Sequence, residues 1–428
     1  MKEASNKKIL IITYYWPPAG GPGVQRWLKF SKYLPEFDWD PIIYTPENPS
    51  YPLIDESLIK DVPKDIKMVK TKIWEPYQIA EKLSKSNKKF KGGQFDVGNN
   101  QSWKSKLSIW IRGNFFIPDA RVFWVKPSIK FLTKYIQEHQ IETIVTTGPP
   151  HSMHLIGLGL KERLNHLKWI ADFRDPWTEI SYYKHLKLTE RSDKKHRTLE
   201  KSIFKNADIT LATSYTDAEN FRTAGANAIC ITNGFDETEI QTKKGTSTSN
   251  FVLSYVGVLE QLRNPEILWQ SLSEIIEENE SFKNDFRIKF VGRVDDKILE
   301  SLKQLQANII NKGYLKHDEA LEEMQTSDVL LITNFPDESS KGIIPGKIFE
   351  YLATGKKILS FGPSEADVAT ILEKTKAGKH FGYSEKMELK KYILQLYQDW
   401  NNGNLKNETE NISEFSRKNL TKKLSEIL

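Results

Sequence analysis

Short runs of aliphatic and β-branched residues return along this chain, separated by segments whose apolar positions fall at helical spacing. In the first half the runs are residues 9–13, 41–45, 143–146, 169–171 and 209–212. In the second half they are 252–256, 288–291, 329–332 and 357–360. Each is too short for a helix and apolar at consecutive positions, the pattern of a strand buried on both faces. After the first run, Val24, Trp27, Leu28 and Leu34 mark one side of a helix. Strand–helix alternation of this kind predicts an α/β fold with two doubly wound, Rossmann-like domains.

The pattern breaks between 237 and 250, where small polar residues such as Thr246, Ser247, Thr248 and Ser249 predominate. That break predicts a first domain over 1–240, a linker over 241–250 and a second domain over 251–410. Residues 411–428 read as a terminal helix that packs back on the first domain. An insertion of different character spans about 77–118. It carries Lys82, Lys85, Lys88, Lys89 and Lys91, then Trp103, Trp110, Phe115 and Phe116. Cations interleaved with aromatics suit an acceptor-binding surface or an anionic membrane surface. The alternative is a solvated basic loop beside a packed helix.

Length and composition narrow the classes. At 428 residues, 39% hydrophobic and 28% charged, the chain has the make-up of a globular protein with two cores. The net charge of +6 fits phosphorylated ligands or an anionic surface without choosing between them. With Cys230 as the one cysteine, no intramolecular disulfide forms, in keeping with a cytoplasmic setting. The run at 9–12 is too short for a leader's apolar core, and no window nears the roughly 18 apolar residues a membrane span needs.

The richest chemistry lies at 342–355. Gly342 opens a loop, and Pro345 suits a first helical turn. Lys347 and Glu350, three apart, share a helix face beside the free N–H groups of its start, where phosphate is favoured. Lys347 can hold a diphosphate while Glu350 accepts from sugar hydroxyls. The bland reading is a solvated Lys–Glu pair. Arg263, after the first strand of the second domain, is a further phosphate candidate, and Tyr314 and Leu315 stand at a strand end where their backbone can cover a base. In the first domain Gly20, Gly21 and Gly23 join strand to helix without dinucleotide-fingerprint spacing. Asp172, Arg174 and Asp175 follow another strand, and His151 follows a third. These four are candidates for orienting a sugar or offsetting developing charge; a structural ion pair with Trp177 as a plug is the alternative. Asp38 and Asp40 match a metal-binding D-x-D by letter only and read as a turn, and no cluster has zinc-site spacing.

Together, residues 20–23, 172–177, 233–236, 313–315 and 345–355 resemble the motifs of retaining glycosyltransferases of the GT-B fold, in the large family 4 group, over nearly the whole chain. The resemblance implies two Rossmann-like domains facing a cleft and a UDP- or GDP-sugar as donor. It implies no cofactor and no metal, and a glycan or lipid-linked acceptor in cell-surface polysaccharide synthesis. Nucleic acid is not an expected partner. Lys347 and Arg263 would contact the phosphates and Glu350 the ribose. The sequence departs from the family pattern at Gly342, where a glutamate often stands, and at Val258, where an arginine often stands. Glu338 is a candidate replacement for the missing carboxylate. An epimerase of the same fold and a non-catalytic nucleotide-sugar-binding scaffold are the rival readings.

Overall fold

The computed structural model describes residues 6–76, 103–237, 249–405 and 409–428. The basic run at 82–91 and most of the linker fall outside them. The chain divides into two compact units: Met1–Thr232 with Leu420–Leu428, and Asn233–Asn419.

The first unit is built on a sheet of β1 (Lys7–Ile12), β2 (Trp39–Pro46), β3 (Lys67–Thr71), β4 (Thr143–Gly148), β5 (Lys168–Phe173), β6 (Ile209–Ala212) and β7 (Ala228–Cys230). Every pairing is parallel, in the order β3-β2-β1-β4-β5-β6-β7. The pleat sends alternate residues to opposite faces, so β1 feeds two cores. Leu10 and Ile12 pack under the helices Val122–His139 and Ser152–Arg163, with Leu132, Ile136 and Ile156. Ile9 and Ile11 pack under the helix Pro22–Tyr33, with Val24, Trp27 and Leu28. Leu420, Leu424 and Leu428 of the C-terminal segment join that second core.

The second unit repeats the plan with β8 (Phe251–Val256), β9 (Phe286–Val291), β10 (Asn308–Asn311), β11 (Val329–Thr333), β12 (Lys357–Phe361) and β13 (Gly378–Phe381). Its parallel order is β10-β9-β8-β11-β12-β13. Phe251, Leu253 and Tyr255 pack with the helix Glu266–Glu278 on one face. The short helix Lys347–Thr354 buries Ile348, Phe349, Tyr351 and Leu352. The turn at 233–236 is tied to the end of the chain: Phe235 bridges Ser416, and the Phe415 carbonyl accepts the Phe235 N–H at 3.1 Å.

In both sheets the order reverses beside the first strand, between β1 and β4 and between β8 and β11. Loops leaving the carboxyl ends of those strands diverge to opposite faces, which opens a crevice where ligands bind in such sheets.

One polar contact crosses the first unit's core. Asp172, on β5, is fully buried and accepts from Arg26 Nε at 3.1 Å, Trp27 Nε1 at 2.7 Å and Thr147 Oγ1 at 2.8 Å. Arg26 Nη2 lies 3.0 Å from the same carboxylate, and Nη1 donates to the Thr232 carbonyl at 3.0 Å. Removing one partner of a buried pair strands the other charge without solvent. Arg26→Met is therefore expected to cost about 3–5 kcal/mol, read by chemical denaturation, against well under 1 kcal/mol for an exposed control such as Lys303→Met. Equal midpoints for the two variants would show that the pair does not hold this core.

Candidate functional site

In the second unit the carboxyl ends of three neighbouring strands converge on glycines. Gly257, Gly292 and Gly313 follow β8, β9 and β10 and have φ of 123°, 114° and 64°. Gly257 donates to the Val291 carbonyl at 2.7 Å, and Gly292 donates to that of Gly313 at 2.6 Å. A Cβ on Gly292 would lie 2.3 Å from the Gly257 carbonyl oxygen, so this layer admits no side chain there.

Lys347 reaches that layer. Its helix starts with Gly346 as N-cap, and no side chain caps it. Pro345 stands just ahead of the helix rather than in its first turn, although its carbonyl already accepts from Ile348 N at 3.0 Å. Lys347 Nζ donates to the Val256 carbonyl at 3.1 Å and lies 3.7 Å from the Tyr255 ring centroid. Among the described residues no carboxylate lies within ion-pair distance of it. Desolvation by surrounding protein lowers its pKa, opposed by Tyr255; Arg263 lowers it further and Glu350 works the other way. The Tyr351 hydroxyl, from the same helix, accepts the Val256 N–H at 3.1 Å and fixes the helix against β8.

The remaining second-unit candidates flank this point. Arg263 sits in the loop after β8, 5.8 Å from the Phe335 ring centroid and 3.5 Å from Glu260. Its Nε is buried without a hydrogen-bond partner among the described residues. Glu350 is half-buried on the helix that carries Lys347. Gly342 lies in the loop after β11, which Asn334 braces by donating to the Ile343 carbonyl at 2.8 Å. Tyr314 is 89% exposed at the end of β10, with Leu315 half-buried beside it. Val258 is exposed. Glu338 is exposed and pairs with Lys341 at 2.6 Å, so its carboxylate is held by its own loop.

In the first unit the structure separates residues that the sequence placed together. Asp172 points inward to Arg26 and Trp27, with no exposed surface. The expectation that it meets a sugar is corrected: its carboxylate is saturated by buried donors. Arg26 and Trp27 were missed because their partner lies 145–146 positions away. The available signal was a guanidinium beside Val24 and Trp27 on a helix's apolar side.

Arg174 and Asp175 do lie at the carboxyl edge. Arg174 donates through Nη2 to the Pro149 carbonyl, and its guanidinium stands 5.9 Å from the Tyr15 ring centroid. Its Nε has no hydrogen-bond partner among the described residues. Burial lowers its pKa, opposed by Asp175. Asp175 is solvent-accessible, yet the dense protein around it pushes its carboxyl up against the pull of Arg174. A Cβ on Gly23 would lie 1.9 Å from Arg174 Nη1, so that glycine makes room for the guanidinium. Gly21, the N-cap of the helix Pro22–Tyr33, has φ of 97° and open space where a Cβ would be. Gly20 donates to the Leu53 carbonyl at 3.0 Å, which pins the loop.

His151 is buried after β4, stacked on Trp177 at 5.0 Å and 6°. Its Nδ1 has no hydrogen-bond partner among the described residues. His154 bonds Thr146 at 2.9 Å and stacks on Phe173 at 4.2 Å, and His196 accepts from Trp177 Nε1 at 3.0 Å. Desolvation drives all three pKa values down, that of His154 to about 3. Asp38 and Asp40 lie at the opposite sheet edge: Asp38 is a left-handed turn before β2, and Asp40 accepts from Asn6 at 3.0 Å. Of the insertion, the helix Trp103–Phe115 and residues 116–118 are described, with Trp110 and Phe115 exposed. No described helix is long and apolar enough to cross a membrane.

No protein-family model matches the chain. No curated protein matches it either. Solved structures do. Sucrose-phosphate synthase from Thermosynechococcus elongatus is 14% identical over 98% of both chains, with a TM-score of 0.57. The lipopolysaccharide outer core galactosyltransferase WaaB is 13% identical over 98% of both, at 0.55. A Listeria monocytogenes protein described as a UDP-N-acetylglucosamine 2-epimerase is 11% identical over 98% of this chain and 95% of its own, at 0.52. These likenesses show the fold, the two-domain Rossmann-like GT-B architecture.

The buried rings and the Gly23 contact each lead to a measurable outcome. His154 is neutral in the fold at about 3 and takes up a proton near 6.5 once unfolded. Below pH 6.5 the unfolded state binds more protons, so stability is full above that pH and falls toward 3 by about 1.4 kcal/mol per unit. Denaturation midpoints measured from pH 7 to 5 should fall, and His154→Gln should flatten the slope; an unchanged slope would mean the ring is not held neutral. Gly23→Ala should displace Arg174 while the protein stays folded, because the clash is with the end of a side chain. Its turnover loss should match that of Arg174→Ala, and a fully active Gly23→Ala would separate the guanidinium from the reaction.

Proposed function

We propose that the protein is a retaining glycosyltransferase of the family 4 type. It takes a sugar from a UDP- or GDP-sugar held by the second unit and passes it to a glycan or lipid-linked acceptor gripped by the first, in cell-surface polysaccharide synthesis at the cytoplasmic face of the membrane. One observation carries this reading. Lys347 brings a cation that has no carboxylate partner among the described residues to an uncapped helix start, beside a layer of glycines at the sheet's switch point. A diphosphate fits such a place: backbone N–H groups and a positive helix end face it, and glycines allow close approach.

In that role Lys347, Arg263 and the helix start would offset charge on the leaving diphosphate, work a metal ion does elsewhere. Glu350 would accept from the ribose hydroxyls, and the backbone at Tyr314 and Leu315 would line the base. Arg174, Asp175 and neutral His151 would face the sugar. Asp172 would serve them as a buried support. The epimerase likeness keeps a second reading alive, in which the sugar is altered and not transferred. Release of nucleoside diphosphate only when acceptor is present separates the two.

Lys347→Ala and Glu350→Ala should each weaken UDP or GDP binding by roughly 1.5–3 kcal/mol, the worth of a hydrogen bond to a charged group. Calorimetry in excess EDTA checks this, and wild-type binding should survive the chelator. Arg174→Ala should bind the nucleotide normally and turn over slowly. Native affinity in both second-unit variants would remove the site.

A further inference from the structure

A surface away from these residues has chemistry of its own. The helix Val122–His139 packs one side into the first unit's core through Trp124, Val125, Ser128, Leu132 and Ile136. Its outer side carries two stripes. Phe123, Pro127 and Phe131 recur every fourth residue, and Lys126, Lys130 and Lys134 do the same beside them. All six are exposed. Phe123 and Phe131 keep 44% and 40% of their surface, too much for core residues. Trp74, 50% exposed, extends the apolar stripe at one end, packed edge-on to Phe123 at 4.7 Å. Lys67 extends the basic character at the other, 5.6 Å from the Tyr135 ring centroid. No carboxylate interrupts the helix before Glu138.

An ordinary solvated helix face alternates charge sign and buries its rings. Here cations of one sign border aromatic rings that pack on one side, Phe123 against Phe116 and Phe131 against Tyr44 and Tyr135, and leave the other side in water. That pairing complements one kind of partner, a surface negative at its outer layer and apolar a few ångströms below. Lysine stems lie along such a boundary with their heads among the phosphates, while Phe and Trp enter it.

We propose that this face docks on an anionic lipid bilayer, with Lys126, Lys130, Lys134 and Lys67 on the headgroups and Trp74, Phe123 and Phe131 at the acyl boundary. The inference stands on this helix and not on the donor chemistry, so either can fail without the other. It also differs from the membrane expectation placed on the insertion at about 77–118, whose basic run at 82–91 lies outside the described residues.

Flotation of the full chain with vesicles tests it. Binding to phosphatidylglycerol vesicles is expected, with little to phosphatidylcholine, and it should weaken as salt rises. Each lysine contributes roughly a fivefold gain, so Lys126→Gln, Lys130→Gln and Lys134→Gln together should lose about a hundredfold. The residues are exposed, so melting temperature should hold. The thermal shift given by UDP or GDP should also hold, which separates this outcome from failure at the donor site. Phe123→Gln with Trp74→Gln should reduce vesicle binding while leaving adsorption to soluble polyphosphate unchanged. Undiminished flotation of the triple lysine variant overturns the proposal. So does vesicle binding indifferent to the aromatic changes, which would mark the face as a site for soluble polyanions.

Discussion

The carboxylate of Asp172 sets the register between a strand end and a helix start, and the first unit's candidate site depends on that register. It draws Arg26 and Trp27 of the helix Pro22–Tyr33 onto β5 inside the core. Two residues further on, about 6–7 Å away and one residue past the end of β5, the same direction returns at Arg174. Three to four residues back along the helix, about 5–6 Å, is Gly23. The two displacements match, so Arg174 arrives over Gly23, where the missing Cβ leaves room for it. A buried ion pair adds little net stability over apolar packing, but it is unforgiving of misalignment. Its value here is positional.

The central strands were legible because burial on both faces demands consecutive apolar residues. Residues 9–12, 144–145 and 330–332 show this, and each is fully or almost fully buried. The strands not read from an apolar run are β3, β7, β10 and β13, which are the four sheet edges; of these only the end of β10 was read, at Tyr314 and Leu315. An edge strand covers less of itself. β10 is Asn308–Asn311 with polar ends and no fully buried residue, and β3 begins with the exposed Lys67 and Met68. Lysine at an edge discourages pairing with other chains, and it also erases the apolar run that reveals a strand. The same physics that protects an edge hides it from a reading by hydrophobicity.

Residue types at strand ends were legible; their directions were not. From the letters alone, Asp172, Arg174 and Asp175 form one charged cluster. The end of the strand divides them: Asp172 is still within β5 and buried, whereas Arg174 and Asp175 lie beyond it. Long-range partners carried no local signal either. Tyr255 beneath Lys347 is 92 positions from it and reads in the sequence as one more buried strand residue. The glycine layer was visible as separate glycines, but its stacking depends on how far each strand runs.

A shared device connects the two units. In each, a cation at the carboxyl edge is held by a backbone carbonyl and not by a carboxylate: Arg174 by Pro149, and Lys347 by Val256. Each also stands near a tyrosine ring. In each case burial lowers the pKa, which means the charged form is paying for lost water. A carbonyl and a ring steady a cation without cancelling its charge, whereas a carboxylate would steady and neutralise it at once. Such a cation remains attractive to an arriving anion, whose binding relieves the desolvation already incurred in folding. The cations that folding leaves least satisfied are therefore the ones whose desolvation an anion would relieve most.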